Sequence, residues 1–170
     1  VSAILPGVMH CLFTSGVRKE NICFIHAPGL HMNGPDDFAA RLGETFSAWE
    51  WLVDHDARHS PMAYFGMTSF GTPVWANSVV REVDLLLGIG SIRPHMDAGF
   101  SGGCKIAVPG ISAKATIDRN HGLMLSPDSG IGRVDTNPVR RDLEEAGTLV
   151  GLHFVVNVLV DAKKRMTHVF

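Results

Sequence analysis

Apolar side chains recur at helical spacing in three parts of the chain. Near the start they occupy Ile4, Leu5, Val8, Leu12 and Phe13. Gly16 follows this run and suits the residue after a helix, where the backbone turns left-handed. A second pattern, which predicts a helix over residues 138–150, has one apolar face made of Val139, Leu143, Ala146 and Val150. A third helix is predicted to begin at Pro35 and to end near Leu42.

Short apolar runs between these helices predict strands. The clearest runs cover residues 22–25, 84–90 and 154–160. The last two are apolar at successive positions, as in parallel strands that are buried on both faces. Two more strands flank a turn at residues 69–71, and residues 166–170 are expected to pair with 154–160. Strands that alternate with helices predict an α/β fold with a mostly parallel, Rossmann-like sheet.

Composition favours a globular protein without a polyanionic partner. The chain has 170 residues, of which 45% are hydrophobic, enough for one domain with a core. Its 15 basic and 17 acidic residues leave a net charge of −2, whereas nucleic-acid binders concentrate Lys and Arg. Three cysteines without a CxxC pair, no membrane-length apolar run and no signal-peptide pattern predict a cytoplasmic protein. We therefore expect no nucleic-acid partner and no membrane span.

Both ends of the chain interrupt a predicted element. The sequence starts at Val1, without an initiator Met, within the first helix, and it stops at Phe170 within the last strand. The expectation is one partial domain, residues 1–170, that is truncated at both ends.

A Gly-rich segment follows the strand at residues 84–90 and carries the densest chemistry. It reads PHMDAGFSGGCK over residues 94–105, where ligands of parallel sheets bind. Its backbone N–H groups could bind a phosphate or carboxylate, or the glycines could only form a tight connection. Lys105 has apolar neighbours, so it is either a desolvated nucleophile with a lowered pKa or a surface lysine. The segment is not a P-loop, because Ile106 follows the lysine where Ser or Thr is needed.

Several histidines lie close to the predicted strand ends. His31 follows the first strand, His95 opens the Gly-rich segment and His121 follows a predicted helix. Histidine exchanges protons near neutral pH, although each of these residues taken singly could be a structural one. His55 and His59 have the spacing of two helical metal ligands but lack the glutamate of HExxH, which leaves a metal hydrolase as a minor alternative.

Taken together, these segments resemble the nickel-pincer lactate racemase family. The stretch PHMDAGFSGGCKIAVPGI is similar to the family signature P-H-x-x-A-G-F-S-G-G-x-K-x-x-x-P-G-[IV]. Further family motifs are matched by Ala27-x-Gly29-x-His31, by DHDA at residues 54–57, by GTPV at 71–74 and by Asn120-His121. TNPVRRDLEEAG and FVVNVLVDAKKR resemble the helix and the hairpin that follow. The similarity covers nearly the whole chain.

The resemblance implies a cofactor and four residue roles. The cofactor is nickel held by a pyridinium-3-thioamide-5-thiocarboxylic acid mononucleotide. Lys105 corresponds to the lysine that attaches it covalently, and His121 to the nickel ligand. His31 and His95 correspond to the acid/base pair. The implied activity is that of an isomerase that racemises or epimerises a 2-hydroxy acid, by hydride abstraction and return through a 2-keto acid.

The same resemblance implies what acts with the chain and what lies outside it. The expected partners are a small-molecule 2-hydroxy acid substrate and the proteins that build the cofactor and insert nickel. The family's phosphate-binding strand lies upstream and its C-terminal domain downstream, so these residues would form a partial catalytic N-terminal domain, inactive alone.

Three departures from the family pattern bear on the substrate. Met96 and Asp97 replace residues that are usually aromatic in lactate-specific members, Cys104 replaces a common arginine, and no arginine follows His31. They predict a 2-hydroxy acid that is larger or more polar than lactate. Two alternatives stay open: a catalytically degenerate homologue that binds a nucleotide-like ligand, and a different cofactor-dependent isomerase or oxidoreductase on the same fold.

Overall fold

The computed structural model describes residues 3–31, 42–43, 46, 49–163 and 165–170. In this part, the α-helices are α1 (Leu5–Thr14), α2 (Lys114–Gly122) and α3 (Pro138–Val150). The strands are β1 (Phe24–His26), β2 (Leu52–Asp54), β3 (Met62–Met67), β4 (Pro73–Asn77), β5 (Leu86–Ser91), β6 (Pro94–His95), β7 (Gly99–Phe100), β8 (Leu152–Val160) and β9 (Met166–Val169). The helix predicted from Pro35 falls, apart from Leu42, outside the described residues.

Local sequence signals account for the ends of α1 and α3. The predicted left-handed residue after α1 is confirmed, since Gly16 has φ of 86°. Asn137 caps the start of α3 by accepting a hydrogen bond from the N–H of Arg140 at 3.3 Å, and Pro138 follows as the first helical residue. Gly151, with φ of 82°, ends the helix. The prediction of a helix over residues 138–150 is therefore confirmed.

The strands pair within small sheets. β1 pairs in parallel with β2, and β5 pairs in parallel with β8, which also pairs antiparallel with β9. β3 with β4 and β6 with β7 form antiparallel pairs. The predicted α/β class with flanking helices is confirmed, as is the pairing of the last two strands. Among the described strands, two pairs are parallel and three are antiparallel.

The β5–β8–β9 sheet is covered unevenly. On one side, Ile106 lies so close to β5 that a Cβ on Gly90 would stand 2.6 Å from it. α3 also contacts β8. Phe154 of β8 is nevertheless 69% exposed, so the prediction that this strand is buried on both faces does not hold within the described residues.

The main core lies along α3. The four residues that form its predicted apolar face, Val139, Leu143, Ala146 and Val150, are all buried. They pack in one cluster with Val74 of β4 and with Val108 and Ile111, which follow Lys105. Burial of each Val, Leu or Ile side chain in this cluster contributes about 1.5–3 kcal/mol. Among the described residues, no helix has the length and apolar character needed to cross a membrane.

Candidate active site

The four predicted site residues share one electrostatic neighbourhood. His31 follows β1, His95 lies in β6, Lys105 lies in a short 3-10 helix (Gly103–Ile106) and His121 lies in the last turn of α2. The pKa of His95 is lowered by burial and then by the positive charges of Lys105, His121 and His31. Such effects weaken with distance and with screening by water. Residues that are up to 90 positions apart in the chain therefore act on the same imidazole, that of His95.

The turn after His95 determines which ring nitrogen carries the proton. Nδ1 of His95 accepts hydrogen bonds from the backbone N–H groups of Asp97 at 3.2 Å and of Ala98 at 3.3 Å. An acceptor at Nδ1 places the proton of the neutral ring on Nε2. Because burial lowers the pKa of His95, the neutral form with Nε2–H is favoured.

The segment before α3 supports this turn from behind. Asn137 Nδ2 donates to the carbonyl oxygen of Asp97 at 2.7 Å. Gly99 has φ of 77°, and a Cβ on it would lie 2.0 Å from the carbonyl oxygen of Arg133. Only glycine fits this position, because both the conformation and the close approach exclude a side chain. Ala98 and Gly99 of the Gly-rich segment thus allow the close packing that holds the turn of His95 in place.

Lys105 is held at the end of a glycine turn. Gly102 and Gly103 have φ of 74° and 57°, and the N–H of Gly103 donates to Oδ1 of Asn157 at 3.1 Å. Burial lowers the pKa of Lys105; the charge of Asp97 opposes this shift and that of Arg140 adds to it. A lowered pKa increases the fraction of neutral amine, which is the nucleophilic form. The sequence-based interpretation of Lys105 as a desolvated amine agrees with this environment.

Cys104, the neighbour of Lys105, faces α3. A Cβ on Gly147 of α3 would lie 2.7 Å from Sγ of Cys104, and the cysteine packs against the main core. Burial raises the pKa of its thiol. Substitution of the family's arginine by Cys104 therefore bears on helix packing, which revises the interpretation that this departure bears on the substrate.

His31 is presented by a loop that docks beside the segment after Lys105. The N–H of Gly29 donates to the carbonyl oxygen of Gly110 at 2.9 Å, and the N–H of His31 donates to that of Pro28 at 3.2 Å. The side chain of His31 is exposed. Met32 and Asn33, which bear on the missing arginine, lie outside the described residues.

His121 is anchored through its neighbour Asn120. Burial lowers the pKa of His121, as does the charge of Lys105, while Asp97 and Asp118 oppose the shift. Asn120 is buried, and its Nδ2 donates to the carbonyl oxygen of Val139 at 3.1 Å and to Oδ2 of Asp142 at 2.8 Å. A neutral imidazole at the end of α2 can act as a metal ligand.

Sequence reasoning missed Asp142, although a signal was available. The residue lies three positions after Val139 and four before Ala146, so helical spacing places it on the buried face of α3. A carboxylate on an apolar helix face needs partners within the protein. Asn137, whose amide holds the turn of His95, was also missed as a supporting residue.

The alternative metal pair does not converge. Residues 54–60 form the end of β2 and a turn instead of the helix that the spacing of His55 and His59 would require. His55 is buried, with Nε2 bonded to the carbonyl of Ser112 and Nδ1 to the amide of Asn77, each at 3.1 Å. His59 is exposed and bonds Asp56. In the described part of the chain, no three His, Cys, Asp or Glu side chains are grouped to hold a metal ion.

Comparison with known proteins identifies relatives of this chain. The family described as lactate racemase N-terminal domain matches residues 1–132. The lactate racemase of Thermoanaerobacterium thermosaccharolyticum is 32% identical over 157 residues, which are 90% of this chain and 37% of that relative. The lactate racemase of Lactiplantibacillus plantarum is 33% identical over 144 residues, 83% of this chain and 33% of that relative. The chain thus spans about a third of the length of these curated relatives.

Solved structures show the same fold. The structure of the lactate racemase apoprotein from Thermoanaerobacterium thermosaccharolyticum superposes with a TM-score of 0.87 at 31% identity, over 96% of this chain and 41% of that one. A crystal structure of a protein from Thermotoga maritima gives a TM-score of 0.77 at 20% identity, over 97% of this chain and 44% of that one. The second likeness concerns the fold alone. On these matches, the chain belongs to the lactate racemase N-terminal domain family.

Proposed function

We propose that this chain forms the catalytic N-terminal domain of an isomerase that racemises or epimerises a 2-hydroxy acid. The supporting observation is that the charges of Lys105, His121 and His31 all act on His95, which links the four residues that the family resemblance singles out. Two relatives named lactate racemase support racemase chemistry on a small substrate.

Lys105 and His121 fit a nickel-pincer mononucleotide. The amine of Lys105 is desolvated and can form a covalent link, and His121 offers one neutral imidazole nitrogen. In this proposal the pincer cofactor would supply sulfur donors beside the imidazole of His121. Sulfur and imidazole are suitable donors for nickel. When bound, this cofactor supplies the acceptor and donor of hydride that exchange at C2 requires.

His31 and His95 would move the proton of the substrate hydroxyl group. One imidazole takes this proton as the C2–H bond breaks and a 2-keto acid forms. The other imidazole returns a proton to the keto oxygen when C2 regains hydrogen on the opposite face. Inversion at C2 requires such groups on both sides of the substrate.

The resting tautomer makes the two histidines unequal. Neutral His95 carries its proton on Nε2, so it can donate a hydrogen bond to a substrate oxygen. To accept a proton at Nε2, it must first bear one on Nδ1, which the N–H groups of Asp97 and Ala98 oppose. Returning a proton from Nε2 likewise passes through the imidazolium form, with a proton on Nδ1, so we infer that this turn relaxes whenever His95 exchanges a proton with the substrate.

Asp97 supports a substrate that is larger or more polar than lactate. Its negative charge acts on His95, Lys105 and His121, opposing the lowering of the pKa of each. A carboxylate in this place accepts hydrogen bonds from hydroxyl groups and repels a second carboxylate. A 2-hydroxy acid with further hydroxyl groups satisfies both conditions.

Mass spectrometry of the intact protein tests the proposal. The full-length parent protein would be co-expressed with the proteins that build the cofactor and insert nickel. We expect a mass increase that maps to Lys105, nickel that is lost on denaturation, and no mass increase in Lys105→Ala. An unmodified wild-type chain beside a modified lactate racemase control would overturn the proposal and favour the degenerate homologue.

A further inference from the structure

A buried carboxylate connects three elements next to His121. Asp142 of α3 is 0% exposed. Its Oδ1 accepts the hydroxyl of Thr68 at 2.5 Å, and its Oδ2 accepts the hydroxyl of Thr72 at 2.9 Å and the amide of Asn120 at 2.8 Å. The three donors are also buried. The Asp142 network, defined as Asp142, Thr68, Thr72 and Asn120, thus joins α3 to the β3–β4 turn and to the end of α2.

Burial of the Asp142 carboxylate is unfavourable in free energy compared with burial of an apolar side chain. Removing a charged group from water costs several kcal/mol, and an apolar residue of similar size would avoid that cost. The neighbouring residues Val139, Leu143 and Ala146 fill their space with apolar side chains. Unlike an apolar residue, Asp142 fixes the orientation of the side chains around it, because its three hydrogen bonds constrain the donors in angle as well as in distance.

The hydrogen bonds of Asn120 also constrain the orientation of His121, because the two residues are adjacent in the α2 backbone. Successive helical residues are about 100° apart around the axis, so fixing Asn120 toward α3 also fixes where His121 points. Asn120 is held twice, by Asp142 and by the carbonyl of Val139. Rotation of the last turn of α2 would break both bonds.

We propose that Asp142 is a positioning residue for His121, which sets the direction of that imidazole through Asn120. The role of His121 as a ligand rests on the proposed function, whereas the orientation of its ring does not. Loss of the Asp142 network would let the last turn of α2 rotate while the 3-10 helix that carries Lys105 stays in place.

The test uses Asp142→Asn in the full-length protein and compares nickel content with attachment at Lys105. Asn keeps the size but has one acceptor oxygen where the carboxylate has two. We expect the mass increase at Lys105 to persist and nickel retention to fall by about 10–100-fold, the usual effect of disturbing the support of a ligand.

Glu145→Gln is the matched control. Glu145 lies three residues further along α3 and also bonds the β3–β4 turn, accepting from the N–H and hydroxyl of Ser69 at 2.7 and 2.6 Å. It is only partly buried and has no bond to Asn120 in the described part of the chain. Its substitution should leave nickel retention unchanged.

A second readout works without cofactor. Full-length protein expressed without the cofactor proteins and labelled with ¹³C at histidine Cε1 reports the ring environment of His121 by its NMR resonance. We expect that resonance to shift in Asp142→Asn and in Asn120→Ala but not in Glu145→Gln. Asn120→Ala leaves Asp142 with both threonine donors, so it serves where Asp142→Asn does not fold.

The outcomes separate the two proposals. A folded Asp142→Asn or Asn120→Ala protein with an unchanged His121 resonance would overturn the positioning role, whatever its thermal stability. A wild-type protein that takes up no cofactor would contradict the proposed function only, since the NMR comparison still tests the orientation of His121.

Discussion

The two sides of the candidate site are held in different ways. On the first side, which we term the α3-supported side, α3 and its cap hold the turn of His95, the 3-10 helix of Lys105 and the end of α2. On the other side, His31 is exposed on a loop that a backbone hydrogen bond from Gly29 attaches to Gly110. Side-chain hydrogen bonds and close packing fix the orientation of the site residues on the α3-supported side. On the second side, substitution of the exposed His31 should therefore have little effect on the stability of the fold.

The largest expected effect compares the histidines of the two sides. In the loaded full-length enzyme, His31→Ala and His95→Ala should each lower turnover on the order of 10³-fold, because each removes one proton-transfer group. Modification at Lys105 should persist in both. Racemisation of a 2-hydroxy acid, followed by chiral chromatography, measures the loss, and an active His95→Ala enzyme would contradict the two-base scheme.

His31→Ala and His95→Ala should also differ in their effect on the free energy of unfolding. His31→Ala should change the free energy of unfolding by less than about 0.5 kcal/mol, as is usual for exposed side chains. His95→Ala should cost about 1–2 kcal/mol, because two N–H groups of its turn lose their acceptor. Denaturant unfolding of the full-length variants measures both values; equal losses would mean that the two sides are equally supported.

Gly99→Ala should break the α3-supported side directly. The added Cβ would stand 2.0 Å from the carbonyl oxygen of Arg133, at a φ that side chains disfavour. We expect a loss of about 3 kcal/mol or more in the free energy of unfolding. Gly7→Ala is the control, because nothing lies within 4 Å of a Cβ there and alanine favours the α1 helix. If Gly99→Ala left the free energy of unfolding unchanged, the segment before α3 would have to move aside easily, and the α3-supported side would not be rigid.

Asp97→Asn should have a smaller effect on catalysis than loss of either histidine. Removal of this negative charge should lower the pKa of Lys105 further, because Asp97 acts against the lowering caused by burial. In cofactor-free full-length protein, amine-reactive labelling of Lys105 should therefore reach its half-maximal rate at a lower pH than in wild type. In the loaded enzyme, preference for hydroxyl-rich substrates over lactate should fall by about tenfold, the equivalent of 1.4 kcal/mol. An unchanged preference would remove Asp97 from substrate selection.

Much of the local structure was predictable because its causes are local. Apolar spacing, the Asn137 cap, Pro138 and the glycine after Val150 together define α3 over its whole length. β3, β4, β5 and β8 follow from apolar runs and turn residues. The helical spacing of His55 and His59 misled, because spacing alone does not distinguish a helix from a turn.

The sequence by itself determined the class of fold, the main helices and the four residues with which the family resemblance associates chemistry. Only the tertiary structure decided that Asp142 meets Thr68 and Asn120, which lie 74 and 22 positions away. It also decided that Cys104 faces α3 and that Gly99 abuts Arg133. Periodicity and capping act over a few residues, whereas these contacts depend on how separate elements pack together.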